Sequence, residues 1–321
     1  MGLLLRNLQM IETTDSTNLA RIRSAQTWAI IHMALFGGFW ALYLGIGLHL
    51  PREYSTFEVL WWRYALHVLL TLLFIGSFRG VALVRTTHLG KQLFRGILMV
   101  VTSVSAVLAA TGMSIDEVRL ILWLAPIAVI ALHRLVRGSA VPRPMWIACL
   151  VCWAGTFLIL RPNLTGTFYN VLWAVIAAVA FGGYQMVTAD LRSDSATTSV
   201  FYSGLVTLVA MSVVMPWVWK PITGHMVLIC LGMGIAGWLS LLFLDKALHT
   251  LEPGRVVVFG YTHLIASAVI GLAINRRGPG LSRTAGCVLI AFGAIFAAAF
   301  LYHWIGGWSE VLFSSHRDRT A

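Results

Sequence analysis

Residues 173–185 read WAVIAAVAFGGYQ and residues 28–40 read WAIIHMALFGGFW, so one pattern, an apolar run opened by Trp and carrying Phe-Gly-Gly-aromatic, occurs twice. Trp28 to Trp173 and Gly37 to Gly182 are separated by the same offset, 145 residues. Each copy lies in a stretch of about twenty residues that is apolar on every face, the length of a bilayer-spanning helix. Two related halves, each opened by a membrane helix, follow from that duplication. The vicinal glycines Gly37-Gly38 and Gly182-Gly183 cost roughly 0.5–1 kcal/mol each relative to alanine in a helix interior. Close helix packing is the plain reason to keep them, and bending around a cavity is the functional one.

Working outward, the 321 residues are 59% hydrophobic and only 11% charged, against about 25% charged in soluble domains. The chain reads as an all-α integral membrane protein. Its net charge of +11 would suit nucleic acid, but the basic residues stand singly or in pairs at the ends of apolar runs. Membrane lipid is therefore the expected partner and nucleic acid is not. Residues 1–20 hold only a short leucine run before Glu12 and Asp15, so targeting is expected from the first helix itself. Cys149 and Cys152 form C-x-x-C inside the apolar run 146–160, where small packing residues are expected rather than a redox or metal pair. No cofactor and no metal are expected, and no phosphate loop, zinc spacing or serine-hydrolase elbow is present. Asn163-Leu164-Thr165 matches a glycosylation pattern too common to carry weight.

Apolar segments run over 27–48, 56–78, 92–113, 118–136, 144–161, 168–189, 197–219, 224–247, 254–274 and 282–305, with breakers such as Pro51, Pro142, Pro221, Pro253-Gly254 and Gly278-Pro279-Gly280 between them. The expected organisation is a cytoplasmic tail 1–26, a first five-helix repeat 27–161, a second 162–305 and a cytoplasmic tail 306–321. Five is odd, so the second copy enters the membrane from the opposite side. The expectation is ten transmembrane helices as two inverted five-helix repeats. Ala110 with Ala247 and Pro126 with His263 share a second offset, 137 residues, after a longer link in the first half.

Leaving Arg63 aside, fifteen Lys and Arg fall on the side of the N-terminus and seven, including Arg52, Arg119, Arg276 and Arg277, on the other. That split places both termini in the cytoplasm; a bacterial inner membrane is the expected location. Arg95 and Lys246 are counted as lying near the headgroups.

Arg63 lies about six residues, or about 9 Å, into the second span. It is read either as snorkelling or pairing with Glu58 or Glu53, or as a cation at the outer mouth of a cavity that attracts anionic solutes. No fixed charge is expected nearer the bilayer centre. The central polar candidates are His32, Trp40, Tyr43, His67, Ser103, Ser105, Trp123, Tyr184, Gln185, Trp238, Ser240, Tyr261 and His263. Rings with polar tips suit a mixed apolar and polar solute, and a lipid-facing surface gains nothing from Gln185 or His263. The substrate-binding set is Trp40, Trp123, Tyr184, Gln185, Tyr261 and His263, with Arg63; Gly37, Gly38, Gly182 and Gly183 are the bending set; no catalytic residue is expected. His263 is also considered as a proton-coupling group. Asp116-Glu117 and Asp245-Lys246 are read as solvated helix caps.

Phe36-Gly37-Gly38, Phe181-Gly182-Gly183, Trp62-Arg63-Tyr64, Leu124-Ala125-Pro126, Gly155 in Trp153-Ala154-Gly155-Thr156 and Gly293 in Phe292-Gly293-Ala294 together resemble the EamA-like ten-helix branch of the drug/metabolite transporter superfamily, over residues 27–305. The chain departs from that pattern at Arg137-Gly138 and Asn275-Arg276, where Gly-Glu is usual, and at His263, where proline is usual. The resemblance implies a secondary transporter with a central cavity that moves a small organic metabolite such as an amino-acid, vitamin or nucleoside-like solute; direction and a homodimer are left open. A membrane-embedded enzyme acting on lipid or lipid-linked substrates is the alternative.

Overall fold

The structure, a computed structural model, describes residues 2–51, 53–138, 140–163, 165–275 and 280–317, with side chains described from 20 to 273 and from 280 to 303 within those ranges. Arg52, Leu164, Arg276, Arg277, Gly278 and Pro279 lie outside the described residues, as do the side chains of both tails. All secondary structure among the described residues is helical. It runs as α1 (Gly2–Gly47), α2 (Thr56–Thr71), a π-turn (Leu72–Gly76), α3 (Ser77–Arg79), α4 (Leu89–Ala110), α5 (Ile115–Leu122), α6 (Ala125–Arg137), α7 (Arg143–Leu160), α8 (Phe168–Asp190), α9 (Ala196–Val218), α10 (Gly224–Thr250), α11 (Pro253–Val256), a 3-10 stretch (Val257–Tyr261), α12 (Thr262–Asn275) and α13 (Leu281–Arg317). Nine stretches among the described residues are long and apolar enough to cross a membrane. α1 and α13 continue as helix through segments 2–26 and 306–317 that read as tails.

The expected fourth span, 118–136, is not one helix: α5 stops at Leu122 and α6 starts at Ala125. Pro126 has no N–H for the carbonyl four residues back, that of Leu122, and its ring crowds that carbonyl. The carbonyls freed at the break find other donors. Trp123 O accepts from the Tyr261 hydroxyl at 2.8 Å, and Leu120 O from the Trp153 indole N–H at 3.1 Å. The ninth segment breaks in turn, because the 3-10 stretch Val257–Tyr261 separates α11 from α12. The two interruptions face each other.

Hydroxyl caps start the long helices. Thr167 accepts from Asn170 N at 3.4 Å, Ser195 from Thr198 N at 3.1 Å and Thr223 from Met226 N at 3.3 Å, satisfying amides that lack an intrahelical partner. α5 has a full capping box between Ser114 and Glu117. The Glu117 carboxylate also accepts from the Thr165 amide, which ties the start of α5 to the loop before α8. Glu117 is therefore a buried cap rather than a solvated one. Ser114→Ala is expected to lower stability by about 1 kcal/mol, read as a lower Tm of detergent-purified protein.

α1 packs along α10, α4 along α8, α2 along α9 and α7 along α13. Small residues let the last pair close in: a Cβ on Gly155 would lie 2.7 Å from Gly286 O, and one on Gly293 2.6 Å from Cys152 Sγ. Cys149 and Cys152 are free and buried there as packing residues, where small side chains allow near-contact of backbones.

Candidate functional site

Where the two broken segments meet, His263 lies flat on Trp123, ring centroids 3.7 Å apart and planes 16° from parallel. Tyr261 packs on the same indole at 5.8 Å, and Phe36 of α1 on its other side at 6.4 Å. From Phe36 the row continues through Trp40 at 6.1 Å to Tyr43 at 5.2 Å. The Arg63 guanidinium of α2 then sits over three rings, 5.4 Å from Trp40, 4.3 Å from Tyr43 and 5.0 Å from Tyr64. His67, one turn on, follows at 6.0 Å from Tyr64. One aromatic row thus links the second, fourth and ninth segments across α1.

Polar atoms along this row are buried without hydrogen-bond partners: Arg63 Nε, Trp123 Nε1 and His263 Nε2. His263 Nδ1 lies 3.1 Å from Gly260 O, which fixes the N–H on Nδ1 and leaves Nε2 as a free acceptor. An unpaired buried donor or acceptor costs about 1–3 kcal/mol, so these three atoms leave the row able to take a polar partner.

Arg63 is only 4% exposed, and among the described residues no carboxylate lies within 4.0 Å of it. Neither snorkelling nor a pair with Glu58 or Glu53 describes it. Glu58 accepts instead from the Lys220 amide at 3.3 Å. Ring faces stabilise a guanidinium by about 0.5–2 kcal/mol each, and Tyr43 adds a side-chain hydrogen bond, but neither neutralises the charge as a carboxylate would.

A second buried arginine is fully paired. Arg95 of α4 and Asp245 of α10 form an ion pair with both side chains at zero exposure. Arg95 also donates to Thr188 Oγ1 at 2.7 Å, to Ser199 O at 2.5 Å and to the Tyr184 hydroxyl; that hydroxyl lies 3.3 Å from Asp245 Oδ1. Gln92, one turn before Arg95, reaches Asp194 at 2.8 Å. Asp245 is therefore a buried, paired carboxylate rather than a solvated cap, and Arg95 is enclosed by the helices rather than free at a span end.

The structure brings Trp123, Tyr261 and His263 into direct contact and joins Trp40 and Arg63 to them through Phe36. Tyr184 is fully buried but its hydroxyl belongs to the Arg95 cluster. Gln185 is buried beside it on α8. Sequence reading missed Phe36, Tyr64, Arg95 and Asp245 as site residues. The available signal was the stripe Gln92, Arg95, Gly96, Met99, Thr102, Ser105, Ala109 that α4 buries, polar or small at every position but Met99 and spaced at helical intervals. Gly37, Gly38, Gly182 and Gly183 all lie inside unbroken helix. A Cβ on Gly37 would meet His263 N at 2.8 Å, and one on Gly182 would meet Ala128 Cβ at 3.2 Å. No group of three or more His, Cys, Asp or Glu suited to a metal occurs among the described residues.

No protein-family model matches the chain. It is similar to proteins named S-adenosylmethionine uptake transporter from Rickettsia felis, 23% identical over 255 residues covering 79% of this chain and 84% of that one, and from Rickettsia conorii, 22% identical over the same shares. A solved crystal structure of a protein superposes on 88% of this chain and 99% of its own with a TM-score of 0.73 at 16% identity, which shows a shared fold. The chain is a multi-pass membrane protein whose relatives are named as transporters.

Proposed function

We infer that this protein is a secondary transporter that carries a small organic metabolite across the bacterial inner membrane by alternating access between two inverted five-helix halves, both termini cytoplasmic. The observation that carries the solute site is the aromatic row with its unpartnered buried polar atoms, Arg63 Nε, Trp123 Nε1 and His263 Nε2 among them. It crosses from α1 and α2 of the first half to the broken ninth segment of the second.

The packing supports the two-half reading. Substituting α8 for α1, α9 for α2, α10 for α4, α11 and α12 for α5 and α6, and α13 for α7 turns the pair α1 with α10 into α8 with α4, α1 with α12 into α8 with α6, and α4 with α9 into α10 with α2. All of these pairs pack. α2 with α9 and α7 with α13 map onto themselves, as pairs on a two-fold axis do. Discontinuous helices at matching positions of two halves are where such transporters bind solute.

The names of the relatives make S-adenosylmethionine the first solute to test. Its adenine would stack on Trp123 and Trp40, and its polar groups would meet the unpaired atoms. His263 serves here as a ring surface with one free acceptor, since no carboxylate lies within 4.0 Å of it among the described residues. His263→Phe is expected to lower flux about tenfold through loss of the Nε2 contact with unchanged pH dependence, whereas loss of a proton relay would change the pH dependence as well.

The test is uptake into proteoliposomes of purified protein. Saturable uptake accelerated by unlabelled solute inside is expected, without nucleotide. No counterflow with S-adenosylmethionine, nucleosides or amino acids would overturn the reading, and product formation in detergent without any gradient would favour the membrane enzyme.

A further inference from the structure

We propose that Arg63 is the docking point for a carboxylate of the transported solute, so that the substrate class is a carboxylate joined to a flat ring. The proposal rests on the transport reading and adds to it the chemistry of one end of the solute. The chain contains its own comparison. Arg95 and Arg63 are both buried among helices, yet Arg95 is closed on every side by Asp245, Tyr184, Thr188 and Ser199, while Arg63 has three ring faces and no carboxylate within 4.0 Å among the described residues. Its Nε is buried and unpartnered.

A buried cation without a counter-ion is tolerated where an anion arrives with the ligand. The planar fork of a guanidinium matches a carboxylate by two parallel N–H···O bonds, which an amide cannot reproduce. The guanidinium rests on α10: a Cβ at position 237 would lie 2.8 Å from Arg63 Nε, so Gly237 covers the Nε edge and a carboxylate would meet the terminal nitrogens. The faces of Trp40 and Tyr43 on α1 continue from the cation toward Trp123. A carboxylate on Arg63 therefore places an attached ring along the row. His67, the next titratable side chain of α2, is buried one turn on beside Tyr64.

The experiment uses full-length protein in detergent with carboxylate and carboxamide pairs as probes: indole-3-acetate and indole-3-acetamide, tryptophan and tryptophanamide, adenosine-5′-carboxylate and its carboxamide. Binding is read by quenching of tryptophan fluorescence and by thermal shift. Wild-type protein is expected to prefer the acid by about tenfold or more in at least one pair, Arg63→Lys to keep part of that preference, and Arg63→Gln to bring the ratio to about one. The Tm of Arg63→Gln without ligand is expected to equal or exceed that of wild type, because the substitution removes an uncompensated charge. Equal affinity for both members of every pair, no binding of any acid, or a preference that survives in Arg63→Gln each overturns the proposal. Solute flux in proteoliposomes that persists under those results leaves the transport reading standing.

Discussion

Arg95→Met is expected to destabilise the protein by about 3–5 kcal/mol, read as a fall in Tm on the order of 10 °C. The reason is what it strands rather than what it removes. Asp245 has no exposure and its carboxylate is held by Arg95 and the Tyr184 hydroxyl, so without the guanidinium it is a buried charge with one neutral donor. Asp245→Asn leaves the mirror-image problem, a buried cation with neutral acceptors, and is expected to fall in the same range. The double variant Arg95→Met with Asp245→Leu separates two roles, because replacing a whole buried pair with apolar groups is often neutral or stabilising. Recovery of Tm in the double variant with flux still absent assigns the pair to the transport cycle. Recovery of both makes it a specificity device for assembling α4, α8 and α10. Wild-type stability in Arg95→Met alone would show that the pair is not buried as described.

The duplicated Trp and Phe-Gly-Gly runs made the membrane-spanning helices legible, because an all-round apolar run of that length has one use. The same runs hid the Arg95 pair. Arg95 stands four residues into the apolar run 92–113 and Asp245 three residues from the end of 224–247, positions equally suited to headgroups. What buries them is the approach of helices 150 residues apart, and no local pattern encodes that. The break before α6 is readable in principle: Leu124-Ala125-Pro126 carries part of the family resemblance, and the N–H missing at Pro126 also predicts an orphaned carbonyl at Leu122. That Tyr261 would serve the neighbouring carbonyl of Trp123 could not be read, since the two residues are 138 positions apart. Of the candidate site, the rings and His263 were legible as polar-tipped groups in apolar runs. Tyr64 and Phe36 were not, because aromatic residues fill cores as readily as they line pockets.

Gly37→Val and Gly38→Ala, one residue apart, are expected to have opposite outcomes. A Cβ on Gly37 would lie 2.7 Å from Thr262 Oγ1 and 2.8 Å from His263 N, and the second of these is backbone that cannot rotate away. Valine there must push α12 off α1, at about 1–3 kcal/mol for overpacking, and the displacement falls on the residue that stacks on Trp123. Flux is expected to drop at least about tenfold, since ångström-scale misplacement of binding groups commonly costs that much or more. A Cβ on Gly38 meets nothing within 4 Å, so Gly38→Ala is expected to keep wild-type flux and to gain up to about 0.5–1 kcal/mol from the lost backbone freedom of glycine in a helix. Measuring Tm and initial uptake for both variants distinguishes close packing from bending as the reason for the paired glycines. If bending at Gly38 serves the cycle, Gly38→Ala will transport poorly while melting higher, and the packing explanation for the second glycine fails.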